Sequence, residues 1–360
     1  MPTYLQTSIP TLPASSPLGH LRQYVPDPLS FLEKHTQTQG DTFHFRLVGR
    51  HLVTTRDPNL IQDLLQSQHR DVQKNKAYKK LQLLLGQGLF TSEGDYWLAN
   101  RRMIQPAFHR EQIAEYMQVM RQYAQDLMSS WEPKGKQQLP IDFLADMTQY
   151  TLAVIAKTML GVDLKGEAQA VSAQLPLAMN ILLKKITSPL ATPMGWPTPN
   201  NRRFRRATQE LDALLLNLIE QRRQQRASGP DLLSTLLQLK DENTGQGLSD
   251  EQLRDEMMTF FLAGHETTAV ALTWVLYTLL QHPSWLLQLQ TELREQLPMD
   301  YTPHDLQQVP SLMPLLQECM RLMPSVWILG RQTKRELTWG NNTLPEGASV
   351  IFSPYLVHRH

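Results

Sequence analysis

A polar notch at residues 263–268, which read AGHETT within an apolar stretch, is the part of the sequence best suited to carry chemistry. Glu266 and Thr267 place an acid beside a hydroxyl, and burying such groups without partners costs about 2–7 kcal/mol. Ala263 precedes Thr267 by four residues, so both side chains share one helical face. The small side chains of this shared face leave room for something flat to bind, and Gly264 can widen the local helical turn, although a packing notch with a threonine bonded to its own backbone explains the same residues. The pattern leaves both interpretations open.

The His265-Glu266 pair also suggests a zinc metalloprotease, because HExxH on a helix puts two histidines on one face. The fifth position is Ala269 rather than histidine. The sequence therefore excludes that zinc site.

Two further motifs place a cation near a partner on one helical face. Trp97 and Arg101 are four residues apart, so their N–H groups can donate to one anionic group or the two side chains can form a cation–π pair. Glu318 and Arg321 are three residues apart, a spacing that allows an ion pair. Because apolar residues flank this second motif, we expect a buried pair that clamps the structure.

The elements that must position these motifs are mostly helices, since a helical period dominates residues 57–323. Proline and glycine interrupt this part, notably at 133–135, 189–199 and 228–230. The predicted helices cover 113–131, 141–160, 202–226, 230–239, 248–280 and 284–297.

The predicted helix at 248–280 carries the notch and is the longest. Ser249 and Gln252 form a capping box at its start, and Pro283 follows its end. About 31 residues at roughly 1.5 Å each span about 45 Å, enough to cross a domain. Apolar residues surround most of this helix, which is typical of burial on every side. A transmembrane span is the alternative, but the central His265-Glu266 pair and the polar flanks count against it.

Short β segments are predicted on both sides of the helical part. Residues 42–55 alternate in polarity, and Gly49-Arg50 fits a two-residue turn, which predicts a β-hairpin. Residues 324–360 form a predicted β-rich segment, and residues 1–28 form a predicted extended arm. With no internal repeat and no clear linker, residues 1–360 are predicted to be one mainly helical domain.

Composition narrows the classes of function. The chain has 360 residues, is 41% hydrophobic and carries a formal net charge of +1, which argues against a nucleic-acid partner. Its one cysteine, Cys319, excludes an internal disulfide framework. The first residues lack a basic region followed by an apolar region, so we expect no signal peptide or membrane anchor and a soluble, cytoplasmic protein.

The three motifs, in this order and with these gaps, resemble the cytochrome P450 family of haem-thiolate monooxygenases over almost the whole chain. Residues 97–101 resemble the family's C helix, 263–268 its long I helix, and 318–321 its K helix. Arg331 and the segment 344–359 resemble the strands that follow. The resemblance implies a mainly α cytochrome P450 fold, a helical domain with small β-sheets.

The resemblance also implies a haem cofactor and a role for several residues. Trp97, Arg101 and Arg331 would bond to the haem propionates. Ala263 and Gly264 would lie against the porphyrin face.

The catalytic pair implied by the resemblance is Thr267 with Glu266. Cleavage of dioxygen needs protons from a positioned hydroxyl and a relay, which this alcohol–acid pair would supply. The family's other requirement is a cysteine thiolate on the far side of the iron.

We expect that axial cysteine beyond His360, in a loop that follows the β segment in the family. The chain is therefore expected to be a truncated member that lacks the haem-binding loop and the last helix, with no metal ligand of its own. Cys319 lies inside the predicted K helix and is not expected to substitute. An axial His358 or His360 is conceivable.

The resemblance implies a monooxygenase that inserts one atom of O2 into a lipophilic organic substrate. Apolar residues at 81–85, 89–90 and 181–196, where the family places its access elements, favour such a substrate. The expected partners are that substrate, O2 and a separate electron donor such as a ferredoxin or a flavoprotein reductase, and we expect a monomer. A haem-thiolate isomerase or peroxygenase, and a non-catalytic remnant unable to hold haem, remain as alternatives.

Overall fold

A computed structural model describes residues 9–14, 16–163, 169–188, 192–225, 229–240 and 245–360. The chain divides into two compact units. We call the first the sheet unit; it comprises Met1–Lys80, Lys185–Ala191 and Arg321–His360. We call the second the helical unit; it comprises Leu81–Lys184 and Thr192–Met320. The predicted single domain stays a prediction.

Helices account for most of the described residues. A π-helical turn at Asp63–Ser67 and a 3-10 turn at Gln105–Phe108 accompany them. In chain order the helices are α1 (Leu21–Tyr24), α2 (Pro28–Gln39), α3 (Pro58–Gln62), α4 (Lys76–Leu85), α5 (Gly94–Ile104), α6 (Arg110–Lys136), α7 (Phe143–Leu160), α8 (Gln169–Thr187), α9 (Pro199–Gln225), α10 (Leu232–Gln238), α11 (Asp250–Gln281), α12 (Pro283–Gln296), α13 (Pro303–Gln308), α14 (Leu312–Leu322) and α15 (Pro354–Val357).

The strands form two sheets within the sheet unit. They are β1 (Thr42–Leu47), β2 (Arg50–Thr55), β3 (Val72–Lys74), β4 (Leu329–Thr333), β5 (Leu337–Trp339), β6 (Asn342–Leu344) and β7 (Ser349–Phe352). The larger sheet has the order β1-β2-β7-β4-β3, and β5 pairs with β6 separately. Strand β2 runs parallel to β7, whereas the other pairs are antiparallel.

The predicted hairpin is present, but its turn is shifted by one residue. Strand β1 pairs with β2 from Thr42 opposite Thr55 to Leu47 opposite Arg50. The turn is therefore Val48-Gly49, not Gly49-Arg50, and both of its residues have positive φ, 46° and 75°. Two positive φ values match the twist of the paired strands, and glycine reaches such a value without strain.

Apolar side chains cover both faces of the larger sheet. In β7, Val350 and Phe352 join one buried cluster with Trp339, while Ile351 between them joins a second cluster with Phe43. Adjacent side chains of a strand point to opposite faces, so the two clusters lie on opposite sides. The sheet is thus a buried central layer of this unit.

The predicted extended arm was wrong, while the predicted helical and β-rich parts each contain one element of the other kind. Residues 1–28 are not one extended arm, because they contain α1 and the start of α2; residues 1–8 and 15 lie outside the described residues. The helical part 57–323 also contains strand β3, which exists only by pairing with β4. The β-rich segment 324–360 includes the short helix α15.

Helix α6 continues through the expected interruption at 133–135 and ends at Lys136. Pro133 lies in its last turn. One backbone hydrogen bond is lost there, and an exposed helix end tolerates that loss better than a helix interior does.

Helix α11 begins as predicted, and Ser249 and Gln252 form both hydrogen bonds of the capping box. The start of the helix is buried as expected, from Leu253 to Phe261 with few exceptions. Burial on every side does not continue to its end, because Tyr277 and Leu280 are 52% and 57% exposed. No helix within the described residues combines the length and the apolar character needed to cross a membrane.

Candidate active site

The predicted notch lies near the middle of α11, on a face that is open within the helical unit. Ala263 and Glu266 are exposed and Thr267 is half-buried. The Thr267 hydroxyl donates a hydrogen bond to the carbonyl oxygen of Ala263, so the two residues share this face as predicted. The threonine is thus bonded to its own backbone, as one interpretation held, and binding of a flat ligand at the exposed face beside it stays a prediction.

Gly264 and His265 lie on the opposite side of α11 and pack against α7. A Cβ at Gly264 would lie 2.2 Å from Cδ1 of Ile155, so glycine allows the close approach of the two helices. Thr151 Oγ1 donates to the His265 carbonyl at 2.8 Å. Burial lowers the pKa of His265, against the opposing effect of neighbouring Glu266. Gly264 therefore has a packing role, and its contact with porphyrin stays a prediction.

Helix α5 presents the Trp97–Arg101 pair. The Arg101 guanidinium carbon lies 5.2 Å from the centroid of the Trp97 ring, which is a cation–π contact. Trp97 is half-buried and Arg101 is exposed. Within the part of the chain that the structure describes, the indole N–H and the guanidinium have no acidic partner. Two donors without a protein acceptor fit the carboxylates of a haem.

The third predicted propionate ligand, Arg331, lies in the sheet unit on β4. It is opposite Lys74 of β3 and Val350 of β7. Its Nη1 donates to the carbonyl of Gly330 at 2.9 Å, and the side chain is half-buried. This donation leaves other guanidinium N–H groups of Arg331 able to bind a carboxylate.

The expected buried clamp of Glu318 and Arg321 was wrong as to burial. Glu318 is exposed and Arg321 is half-buried, because α14 turns the acid to its open side. Arg321 Nη1 donates to the carbonyl of His358 at 2.8 Å and thereby ties α14 to the segment after α15. The ion pair itself stays a prediction.

The residues considered as iron ligands have other partners. Cys319 is 2% exposed, and burial raises the pKa of its thiol against a hydrogen bond from Thr278. His358 Nδ1 lies 3.2 Å from the Arg321 carbonyl, and His360 Nε2 lies 3.0 Å from Asp41 Oδ2. Across the described residues, no group of three or more His, Cys, Asp or Glu side chains could hold a metal ion.

Sequence reasoning missed a second polar group on α11. Asp255 and Glu256 are buried and accept hydrogen bonds from the backbone of the turn just before α5. Two adjacent acids within the buried start of a helix were the available signal.

The fold is mainly helical with small sheets, and the candidate site offers donors for carboxylates and an acid–hydroxyl pair on the longest helix, which are features that suit a haem-dependent oxidoreductase. The family model for Cytochrome P450 matches residues 10–360. The chain is 33% identical over 356 residues to cyclooctat-9-en-7-ol 5-monooxygenase of Streptomyces melanosporofaciens, covering 97% of this chain and 76% of that protein. It is 28% identical over 357 residues to pentalenene oxygenase of Streptomyces avermitilis, covering 97% and 77%.

A solved structure shows the same fold. The cytochrome P450DA haem domain matches with a TM-score of 0.85 and 28% identity, over 98% of this chain and 78% of that one. The chain therefore belongs to the cytochrome P450 family. It is a monooxygenase-type oxidoreductase with haem as its cofactor, and it uses O2, an organic substrate and a source of electrons. The predicted fold class is confirmed.

Proposed function

We propose that this protein hydroxylates a lipophilic substrate by inserting one atom of O2. The open face of α11 carries the proposal, because Ala263, Glu266 and Thr267 interrupt an apolar helix there and two of them are exposed. An acid and a hydroxyl at such a face suit a reaction that consumes protons beside an apolar substrate.

The apolar nature of the substrate is supported by the side chains of the predicted access segments. Leu83 and Phe90 are exposed on and after α4, and Leu183 and Trp196 are exposed in the second segment. Residues 189–191 of that segment lie outside the described residues. The two Streptomyces relatives are named for cyclooctat-9-en-7-ol and pentalenene, which are lipophilic terpenes. A cyclic terpene is therefore our first choice of test substrate.

In this proposal Trp97 and Arg101 of the helical unit bind the carboxylates of haem, and bound haem supplies the redox chemistry that activates O2. The Thr267 hydroxyl donates a hydrogen bond to the Ala263 carbonyl oxygen. Glu266 is exposed, so its carboxylate can exchange protons with water. The two side chains provide a short path for protons from solvent to the open face.

The acid–hydroxyl pair favours an O2-dependent reaction over an isomerase or a peroxygenase. An enzyme supplied with peroxide has less use for a proton path. We also propose a separate electron donor, a ferredoxin or a flavoprotein reductase, and a monomeric protein. The exposed cations Arg102 and Arg110 near α5 suit an acidic donor surface.

Thr267→Ala tests the proposed function in a haem-loaded protein that carries the family's cysteine loop fused after His360 and is supplied with electrons and pentalenene. We expect haem to be retained while product formed per electron pair falls about tenfold and released peroxide rises, because the hydroxyl is lost but the donors are not. Thr273→Ala is the matched control, since Thr273 Oγ1 also donates to a carbonyl four residues earlier, at 2.8 Å. Equal product yield in the two variants would overturn the role of Thr267.

A further inference from the structure

Two adjacent acids at the buried start of α11 hold one turn of the chain. Asp255 is 6% exposed and Glu256 is 0% exposed. Asp255 Oδ2 accepts a hydrogen bond from the backbone N–H of Gln87 at 2.6 Å, and Glu256 Oε2 accepts one from that of Leu89 at 3.1 Å. Both contacts bridge more than 160 residues of sequence. A buried carboxylate needs such partners, because an unpaired charge is costly in the interior.

The turn at residues 86–92 is built to approach these carboxylates closely. A Cβ at Gly86, where φ is +57°, would lie 2.0 Å from Asp255 Oδ1. A Cβ at Gly88 would lie 2.2 Å from the Thr259 hydroxyl oxygen. Any larger residue at either position would therefore displace the turn from α11. The contact between the turn and α11 therefore depends on the two glycines as well as on the two acids.

Asp255 also takes part in an ion-pair network. Arg254 Nη1 donates to Asp255 Oδ1 at 2.8 Å, and Arg254 also pairs with Asp212 of α9. A substitution of Asp255 would break this network together with the contact to the turn, so Glu256 is the position chosen for the test.

The held turn leads directly into α5. Helix α5 begins at Gly94, two residues after the turn, and carries Trp97 and Arg101. Along α11, Glu256 precedes Ala263 by seven residues, which is about two helical turns or about 10 Å. Residues seven apart lie on the same helical face. The turn is therefore held on the face of α11 that carries the notch.

We propose that Asp255 and Glu256 are positioning residues for haem binding. They hold the 86–92 turn on α11 and thereby fix the start of α5 and its donors, Trp97 and Arg101. The inference rests on the proposed function, because it assigns these donors to the haem carboxylates.

Hydrogen exchange of the full chain tests the positioning step without haem. In the wild type, the amides of Gln87 and Leu89 should be protected relative to exposed loops, and free exchange of both would overturn the proposal. In Glu256→Ala, exchange across 86–92 and the first turns of α5 should be about tenfold faster, because the charged acceptor that holds the Leu89 N–H is lost. Glu256→Gln should restore protection, because an amide oxygen also accepts the Leu89 N–H. Glu251→Ala, at an exposed acid on the same helix, is the matched control.

Haemin titration of the same variants, followed by Soret absorbance, tests the consequence for the cofactor. We expect about tenfold weaker affinity in E256A and wild-type affinity in E256Q and E251A. Faster exchange in E256A with unchanged haemin affinity would reduce the contact to a structural one and overturn the positioning role. Failure of the wild type to bind haemin would contradict the proposed function instead, and the exchange of α5 would still decide whether the acids position it.

Discussion

At the scale of single residues, neighbouring positions of α11 serve different purposes. Ala263 and Thr267 are on the open face, while Gly264 and His265 between them pack against α7. A step of one residue rotates the side chain by about 100° around a helix, so one motif supplies both a packing surface and a site. Residues of the same motif therefore have two roles, packing against α7 and forming the candidate site.

The stabilising effect of Arg321 is expected to come from its observed bond to the His358 carbonyl, not from a buried ion pair. We expect Arg321→Ala to lower the free energy of unfolding by about 1–2 kcal/mol, through loss of the bond to the His358 carbonyl. The 3–5 kcal/mol typical of a broken buried pair is not expected, because Glu318 is exposed. Urea unfolding of R321A measures the loss of the bond to the His358 carbonyl, and urea unfolding of E318A measures what Glu318 contributes. A loss in R321A as large as that of a broken buried pair would contradict this assignment.

His44 makes the sheet unit sensitive to acid. Its ring is 5% exposed and its Nε2 lies 2.9 Å from Nδ1 of His51, with the two rings stacked. Burial, aided by the nearby charge of His51, lowers the pKa of His44 to about 4. The pKa of His44 returns to its ordinary value of 6.5 when the chain unfolds. Between pH 6.5 and about 4, the unfolded chain therefore binds a proton at His44 more readily than the folded chain does.

The stabilisation from neutral His44 is therefore complete above pH 6.5 and is lost as the pH falls towards 4. Over that interval we expect a loss of up to about 3 kcal/mol. Unfolding measured at several pH values checks this, with His44→Asn expected to flatten the dependence. His69→Asn, at an exposed histidine, should leave it unchanged. Equal slopes in wild type and H44N would exclude His44 as the source.

At the scale of elements, the packing of α7 on α11 depends on the absence of a side chain at Gly264. Gly264→Val should lower the free energy of unfolding by about 1–3 kcal/mol, because its methyl groups would overlap Ile155. Adding Ile155→Ala should recover part of that loss although I155A alone is destabilising. Thermal melts of the two single variants and the double variant give the coupling. Strict additivity would show that the two residues do not oppose each other.

At the scale of the whole molecule, the spectrum of bound haem depends on whether these residues supply a thiolate ligand to the iron. The 360 residues contain one cysteine, Cys319, which is 2% exposed with its thiol pKa raised by burial. Thiolate coordination is what shifts the carbon monoxide spectrum in this family.

We therefore expect no Soret band at about 450 nm when these 360 residues, loaded with haem and reduced, are exposed to carbon monoxide. Cys319→Ser should give the same spectrum as the wild type. A band in the wild type that disappears in C319S would show that this thiol reaches the iron.

The sequence by itself determined the features that depend on neighbours along the chain. The capping box of Ser249 and Gln252, the long helix it begins and the spacing of the notch are local, because helix hydrogen bonds join residues four apart. The family resemblance also followed from motif order, and the family match over residues 10–360 confirmed it.

Only the tertiary structure decided which residues meet across long separations. Strand β3 is three residues long and exists because Val72 pairs with Thr333. Ile155, which packs against Gly264, and Gln87, whose N–H bonds to Asp255, are each more than 100 residues away from these positions in the sequence. Such contacts depend on how distant apolar faces are buried together, and local patterns do not encode that choice. For the same reason the sequence did not predict that Glu318 is exposed, although it did predict the spacing of Glu318 and Arg321 on one helix.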